Sequence, residues 1–329
     1  MPIRKRTIAL SLKLIILVLT CWFIYNKLSA PQSLEKIKAF FGQPFSPRTV
    51  WLLSATGLLM VVNWGAEVFK WKFLVRKIEK VSLWKSTESL LAGLTLAIFT
   101  PNRIGEYGGR ILYLERGNRV KGVFAMGVGA FSQMLVTNVI GGAAFFVFAT
   151  RFIALNRTLE IALGIGILVF CVLFILFYFN VRWLYIILLS FRFLRKFRRF
   201  FKVLLLYGKK ELLISLLYSL LRYLVFTTQH FLLIHLFLPS VDYADAMMLI
   251  SVILMVQSII PTMAMLDDLG VRGATSAYFF AFVVPESDAS FVLASAFGVW
   301  LVNIILPAIA GLFFVFKANF FGGNGGNNH

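Results

Sequence analysis

Long apolar runs, separated by short polar or basic segments, make up most of this chain. An α-helix rises about 1.5 Å per residue, so about 20 apolar residues cross the roughly 30 Å hydrocarbon core of a bilayer. Six runs are of this order and predict six full transmembrane helices, at residues 8–25, 50–69, 123–150, 160–180, 212–238 and 290–316. The pattern therefore predicts an all-α polytopic membrane protein.

Two further apolar stretches are too short to cross the bilayer. Residues 86–100 end at Pro101 and residues 247–260 end at Pro261, and a polar, glycine-bearing break follows each proline. Irregular backbone at membrane depth is tolerated where it lines a polar cavity instead of lipid. We therefore predict two re-entrant helical hairpins, at residues 86–113 and 247–284.

Both breaks carry the same charged pattern. Glu106-Tyr-Gly-Gly-Arg110 follows the first, and Asp268-Leu-Gly-Val-Arg272 follows the second. Glu106 and Arg110 are four residues apart, so they share a helix face and can pair. A charge at mid-bilayer costs roughly 2.5–3.5 kcal/mol on insertion scales. Two such segments in matched contexts predict two halves of one functional site.

Basic segments orient the spans, because lysine and arginine are enriched on the cytoplasmic side. Residues 182–210 carry dense positive charge and predict a basic cytoplasmic amphipathic segment on the anionic inner leaflet. Residues 239–245 carry acids and no base, so they should lie outside. The first hairpin, which has basic flanks, should enter from the cytoplasm and the second from the exterior. Both termini are expected in the cytoplasm.

A span, a hairpin and a span thus occur at residues 50–150 and, with the opposite orientation, at 212–316. Inverted repeats with discontinuous helices near the midplane are typical of transporters. We predict a single membrane domain over residues 1–329, built on these two repeats, with a disordered tail at 320–329.

Composition narrows the functional class. Hydrophobic residues make up 60% of the chain and charged residues 14%, against about 25% charged in soluble domains. The net charge of +19 is assigned to loops that flank spans, so nucleic-acid binding is not expected. Cys21 and Cys171 both lie in apolar runs and predict no disulfide framework. His230 and His235 lack the spacing and neighbours of a metal site, and no nucleotide-binding loop is present, so we predict no metal or cofactor.

The candidate substrate-binding residues lie at the breaks and in a neighbouring span. Arginines near helix N-termini favour an anionic group such as a lipid phosphate, whereas the acids suit a cationic headgroup or proton binding. The same charges could instead be structural salt bridges that lock the hairpins. The candidates are Pro101, Arg103, Gly105, Glu106, Arg110, Arg222, Pro261, Asp267, Asp268, Gly270 and Arg272.

A second set of intramembrane polar residues is expected to support the site. Arg222 lies about ten residues from either end of its span and should need a partner, for which we expect a carboxylate of one hairpin. The supporting residues are Asn63, Glu67, Gln133, Asn138 and Gln229.

The first break resembles the lysylphosphatidylglycerol synthase transmembrane family, also described as flippase-like. Its first signature is a proline, then Gly-Glu, then an arginine four residues beyond the Glu, matched by Pro101, Gly105, Glu106 and Arg110. Its second signature, a proline followed by glycines and an acid, is similar to residues 261–273. The resemblance covers about residues 50–316.

The resemblance implies translocation of a lipid with a polar or charged headgroup between leaflets of a bacterial inner membrane. The implied partners are a membrane phospholipid or lipid-linked substrate, and the oligomeric state stays open. The chain ends soon after its last span, so we expect it to lack the soluble aminoacyl-transferase domain of full-length synthases and not to be an enzyme. The alternatives are a membrane-embedded transferase acting on a lipid-linked substrate and a small-solute secondary transporter.

Overall fold

The computed structural model describes residues 42, 46–98, 100, 103–260, 267–285 and 288–317. These residues are mostly helical and contain no strand. The α-helices are α1 Pro47–Val75, α2 Leu83–Ala97, α3 Ile104–Ile111, α4 Arg119–Phe152, α5 Arg157–Phe179, α6 Val181–Ser190, α7 Arg198–Phe201, α8 Lys209–Phe237, α9 Tyr243–Ile259, α10 Asp267–Phe280, α11 Ala289–Trp300 and α12 Leu306–Lys317. A π-helical segment, Leu301–Ile305, joins α11 to α12.

Five helices are long and apolar enough to cross a membrane, and they match five of the six predicted spans. Their ranges are Pro47–Val75, Arg116–Phe152, Arg157–Phe179, Lys209–Phe237 and Ala289–Val315. The sixth predicted span, residues 8–25, lies outside the described residues, as does the predicted tail at 320–329. The fold is therefore an all-α, multi-pass membrane protein.

Local side chains fix where several helices begin. Ser46, Ser82, Asn156 and Asp242 each accept a hydrogen bond from a backbone N–H two or three residues further along. Such N-caps satisfy donors that the first helical turn leaves without partners. Each of these residues has an extended backbone and is followed by helical residues. It therefore marks the point at which the preceding connection ends and the helix begins.

The described helices follow the same order twice. A long helix, two short helices and a long helix occur in α1–α4 and again in α8–α12, where α11, the π segment and α12 together form the last long helix. The two sets exchange contacts: α1 packs on α8, α2 packs on α12, and α9 packs on α4. The short helices of each set are thus held by the last long helix of the other set.

Two glycines permit these exchanged contacts. A Cβ on Gly141 of α4 would collide with Met255 and the Ser251 carbonyl of α9. A Cβ on Gly311 of α12 would collide with the Leu91 carbonyl of α2. Small residues let helix backbones approach closely in membranes, where packing replaces the hydrophobic drive between helices. Both exchanged contacts therefore depend on a glycine in the last long helix.

The basic connection between α5 and α8 is built from short pieces. Arg192–Phe197 is a 3-10 helix, α7 has one turn, and Lys202–Leu206 is again a 3-10 helix. Within the basic segment predicted at residues 182–210, the interleaved bases and phenylalanines of 192–202 predict one amphipathic helix, and the structure has these three short pieces instead. The last of them ends at Tyr207, which is buried and whose hydroxyl donates 3.0 Å to the Leu74 carbonyl of α1.

Candidate functional site

The centre of the site is a buried carboxylate on α1. Glu67 Oε2 lies 2.7 Å from Lys70 Nζ and 2.5 Å from Arg222 Nη1, and Glu67 Oε1 lies 2.8 Å from Arg110 Nη1. Glu67 is 7% exposed, and Lys70 and Arg110 are each 2% exposed. Three cations from three helices thus converge on one carboxylate, although the sequence had placed Glu67 only among the supporting residues.

The predicted pair of the first break is present and extends this arrangement. Arg110 Nη2 donates to Glu106 Oε1, and Arg103 Nη2 lies 3.4 Å from Glu106 Oε2. Together with the bond from Arg110 to Glu67, these contacts join both carboxylates into one charge cluster. We call it the charge cluster: Glu67, Lys70, Arg103, Glu106, Arg110 and Arg222.

Arg222 has a different partner from the one expected. Among the residues whose side chains the structure describes, its carboxylate partner is Glu67 of α1. Its Nε also donates 3.0 Å to Asn63 Oδ1, and Asn63 lies one helical turn before Glu67. A long helix provides the partner because α1 and α8 lie side by side. The centre of the site therefore lies at the contact between α1 and α8 and not at the break.

The π segment connects α11–α12 to the same contact. Asn63 Nδ2 donates 3.2 Å to the Oδ1 of Asn303, which is buried within Leu301–Ile305. Pro307 has no N–H to donate to the Asn303 carbonyl, so regular α-helical bonding is interrupted there. π segments of this kind occur often at functional sites.

The first helix pair, α2 and α3, is held in place by glycines and one strained residue. A Cβ on Gly109 would collide with Gly93, and a Cβ on Gly105 would collide with the Leu96 carbonyl. Gly105 also donates its N–H to Thr100 Oγ1 at 2.6 Å. Arg103 precedes α3 with φ 56° and ψ 28°, a left-handed conformation uncommon for residues with side chains. This tight antiparallel packing positions Glu106 and Arg110 against α1.

Two polar cavities adjoin the charge cluster. The inner polar cavity, of about 350 Å³, is lined by Glu67, Lys70, Glu106, Tyr107 and Arg110, among others. The arginine-lined cavity, of about 330 Å³, is lined by Arg103, Arg222 and Arg272 together with Asn63, Trp64 and Gln257. Gln133, Thr137, Arg222 and Ser258 line both cavities.

A third cavity is apolar. It measures about 280 Å³ and lies among α4, α5, α6 and the 3-10 segment Lys202–Leu206. Phenylalanine, leucine and valine side chains form most of its wall. Tyr107 of α3 lines both this cavity and the inner polar cavity. A charged space and an apolar space therefore share one aromatic side chain.

The second helix pair, α9 and α10, contributes one arginine. Arg272 lines the arginine-lined cavity, and Gln257 Nε2 of α9 donates 3.0 Å to Thr275 Oγ1 of α10. Gly270 is exposed, and a Cβ there would meet nothing within 4 Å. Pro101 and Pro261 lie outside the described residues, and only the helical backbone of Asp267 and Asp268 is described.

The expected supporting residues fall into two groups. Asn63 and Gln133 line the cavities, as described above. Asn138 instead bonds the Met134 carbonyl at 2.8 Å and Ser258 Oγ at 3.1 Å. Gln229 donates 2.9 Å to the Thr56 carbonyl and lines neither polar cavity. The last two join helices and do not face the cavities.

Lys70 is a residue of the site that the sequence did not indicate. Its position at the start of a basic run assigned it to a cytoplasmic loop, but it lies inside α1 and its Nζ is 3.4 Å from Ser219 Oγ. Its spacing of three residues from Glu67 was the available signal, since such pairs share a helix face. Trp64, Asn303 and Ser219 were missed as well, because uncharged residues in apolar runs give no distinct pattern.

No protein-family model, no curated protein and no solved structure matches this chain.

Proposed function

We propose that this protein is a flippase-like transporter that moves a lipid with a polar or charged headgroup between bilayer leaflets. The observation that supports this most directly is the charged inner polar cavity beside an apolar cavity, with Tyr107 lining both. A ligand that is charged at one end and apolar along the rest of its length fits two such spaces. A lipid is such a ligand.

The charge cluster supplies the polar half of this fit. Buried charges are costly unless they are paired, and intramembrane ionisable residues are usually functional. Glu106 is the more exposed of the two carboxylates, with 18% of its side chain accessible against 9% for Glu67. Glu106, Arg103 and Arg222 therefore contact or gate the headgroup, while Glu67 holds three cations in place.

The proposed architecture is an inverted repeat in a bacterial inner membrane. The repeated helix order and the exchanged packing of α2 with α12 and of α9 with α4 support two related halves. In this scheme α2–α3 enters from the cytoplasm, α9–α10 enters from the exterior, and both termini are cytoplasmic.

The same cavities favour lipid transport over two other functions, small-solute transport and transferase activity on a lipid-linked substrate. A small-solute transporter needs the polar cavities but not the apolar one. A transferase acting on a lipid-linked substrate needs a group positioned for chemistry, whereas Glu67 and Glu106 are both engaged by two or more cations. The apolar cavity and this pairing favour lipid transport without catalysis.

The test is lipid movement in proteoliposomes. The protein is reconstituted with fluorescent phospholipids, and the lipid in the outer leaflet is measured by quenching. Wild type should accelerate exchange between leaflets, and Glu106→Gln should abolish it while expression is retained. Glu160→Gln, which removes a surface pair with Arg157 at 3.1 Å, is the matched control. Equal exchange in empty and protein-containing vesicles, or full activity of Glu106→Gln, would refute the proposal.

Orientation has a separate test. Single cysteines replacing Asp242 and Arg195 are introduced into a variant without Cys21 and Cys171. An impermeant thiol reagent applied to whole cells should label position 242 and not position 195. The reverse labelling would overturn the orientation without affecting the transport assay.

A further inference from the structure

We infer that the arginine-lined cavity binds the phosphate of the transported lipid, so that the transported lipid is a phosphate ester. This inference rests on the proposed function and specifies its substrate class. The sequence left open both an anionic group and a cationic headgroup as the ligand, and the lining of the arginine-lined cavity favours an anionic group at that place.

The charge balance of the described residues is the first argument. The charge cluster contains four cations and two carboxylates, and five ion pairs connect these six side chains into one network. Uncompensated buried charge is costly, so an excess of cations favours an added anion. This count leaves Arg272 out, so it does not depend on the partners of that residue.

The lining of the cavity is the second argument. Arg103, Arg222 and Arg272 come from α8 and from both short-helix pairs, and the described lining includes no carboxylate. Guanidinium groups bind phosphate oxygens with charge-assisted, often bidentate hydrogen bonds. Three of them on one cavity of about 330 Å³ match a group with several equivalent acceptor oxygens.

An unused donor is the third argument. Trp64 is 91% buried and lines this cavity, and its indole N–H has no acceptor among the residues that the structure describes. The indole nitrogen can only donate, so it would not bond an ammonium group. Arg222 lies over the Trp64 ring, 5.2 Å from its centroid. A phosphate held by Arg222 would therefore lie near the indole donor as well.

The inner polar cavity does not carry the same preference. It presents Glu67 and Glu106 together with Lys70, Arg110 and Arg222, so carboxylates and cations are mixed in its wall. The two cavities share Arg222 and Gln133. A phosphate in the arginine-lined cavity leaves the rest of a headgroup beside the mixed charges.

The test measures binding to the full-length protein in a maltoside detergent by native mass spectrometry. The probes are phosphatidic acid and a diacylglycerol with the same acyl chains, which differ only in the phosphate. Phosphatidic acid should bind at least tenfold more tightly. Arg272→Gln should weaken it by about tenfold to a hundredfold, the range for loss of one hydrogen bond to a charged group. Arg272→Lys should recover part of the affinity.

The control removes an arginine of the same charge elsewhere. Arg157→Gln changes a side chain that is 79% exposed on α5 and should leave binding of phosphatidic acid unchanged. Equal binding of diacylglycerol and phosphatidic acid would overturn the inference, as would equal affinity of Arg272→Gln and Arg157→Gln.

Inorganic phosphate distinguishes the two sources of the anion. If it displaces phosphatidic acid only at a large excess, the ligand is a lipid phosphate, as inferred. If it binds as tightly as phosphatidic acid, the lipid assignment is overturned. Failure of the proposed function is visible separately, as phosphatidic acid binding without lipid movement in proteoliposomes.

Discussion

The two short-helix pairs carry the same acid-x-Gly-x-Arg pattern but use it differently. Arg110 of α3 is 2% exposed and is bound by carboxylates of two helices, Glu67 and Glu106. Arg272, at the same place in the pattern, is half-buried and lines a cavity. The same motif therefore places its arginine in the protein interior in the first pair and at the wall of a cavity in the second.

The long helices that precede the two pairs also differ at one corresponding position. α1 and α8 both have 29 residues, and Glu67 and Gln229 each lie twenty residues after the first residue of their helix. Glu67 binds three cations, whereas Gln229 donates a hydrogen bond to a carbonyl of α1. The first half thus carries a carboxylate where the second half carries its neutral amide.

Glu67→Gln removes this difference between the two halves, because it gives α1 the same side chain that α8 has at Gln229. We expect it to have the largest effect of the substitutions considered. Removing one partner of a buried ion pair costs about 3–5 kcal/mol, and here three cations lose a partner together. We expect a large loss of thermal stability, measured by size-exclusion chromatography after heating in detergent. Glu160→Gln should change stability by less than about 1 kcal/mol, as surface pairs do. A wild-type melting temperature for Glu67→Gln would contradict the central role of this carboxylate.

Two glycine substitutions compare a closely packed position of the first short-helix pair with an open position of the second. Gly105→Ala should destabilise the protein by about 1–3 kcal/mol, because its Cβ would overlap the Leu96 carbonyl. Gly270→Ala has open space and should be neutral or stabilising by up to about 1 kcal/mol, since alanine favours the helix. Chemical unfolding in mixed micelles measures both. Equal losses would contradict the close packing of Gly105 against Leu96.

Substitutions at Arg103, which has a left-handed backbone conformation, should change stability by a smaller amount. Arg103→Gly and Arg103→Ala both remove the contact with Glu106, so their difference reports the backbone alone. Glycine adopts φ 56° without strain, and the glycine variant should be more stable than the alanine variant by about 1 kcal/mol. An alanine variant of equal or greater stability would show that the turn relaxes when the side chain is shortened.

The smallest expected effect concerns the bond that joins α2 to the last helix. Thr95 Oγ1 donates 2.8 Å to the Ala308 carbonyl, whereas Thr87 Oγ1 donates only within its own helix, to Leu83. Thr95→Val should cost about 1 kcal/mol and Thr87→Val less than about 0.5 kcal/mol. Thermal unfolding of the two variants in one detergent provides the comparison. A larger loss for Thr87→Val would contradict the anchoring role of Thr95.

Much of the helix order followed from hydropathy, and the centre of the site did not. Five apolar runs of sufficient length appear as long helices, because burial in lipid constrains length and composition strongly. The pairing of Glu106 with Arg110 followed from their spacing. The position of Glu67 against Arg222 did not, because their 155-residue separation gives no signal of which helices pack together.

Lys70 shows the same limit in a different way. A lysine at the start of a basic run indicates a loop, yet here α1 continues through it to Val75 and the side chain is buried. Ser219 on α8 and Glu67 one turn earlier both contact its ammonium group and compensate for that burial. These contacts depend on how α1 and α8 pack together. The pattern of residues along the sequence therefore does not reveal that Lys70 is buried.

The π segment Leu301–Ile305 has a consequence for the rotational phase of the last span. Each extra residue turns the remainder of a helix by about 100°, because an α-helix has 3.6 residues per turn. Asn303 accepts a hydrogen bond from α1, and Gly311, about two turns further along, packs against α2. Because of this one wide turn, α12 presents its side chains at a different rotation from that of an uninterrupted α-helix.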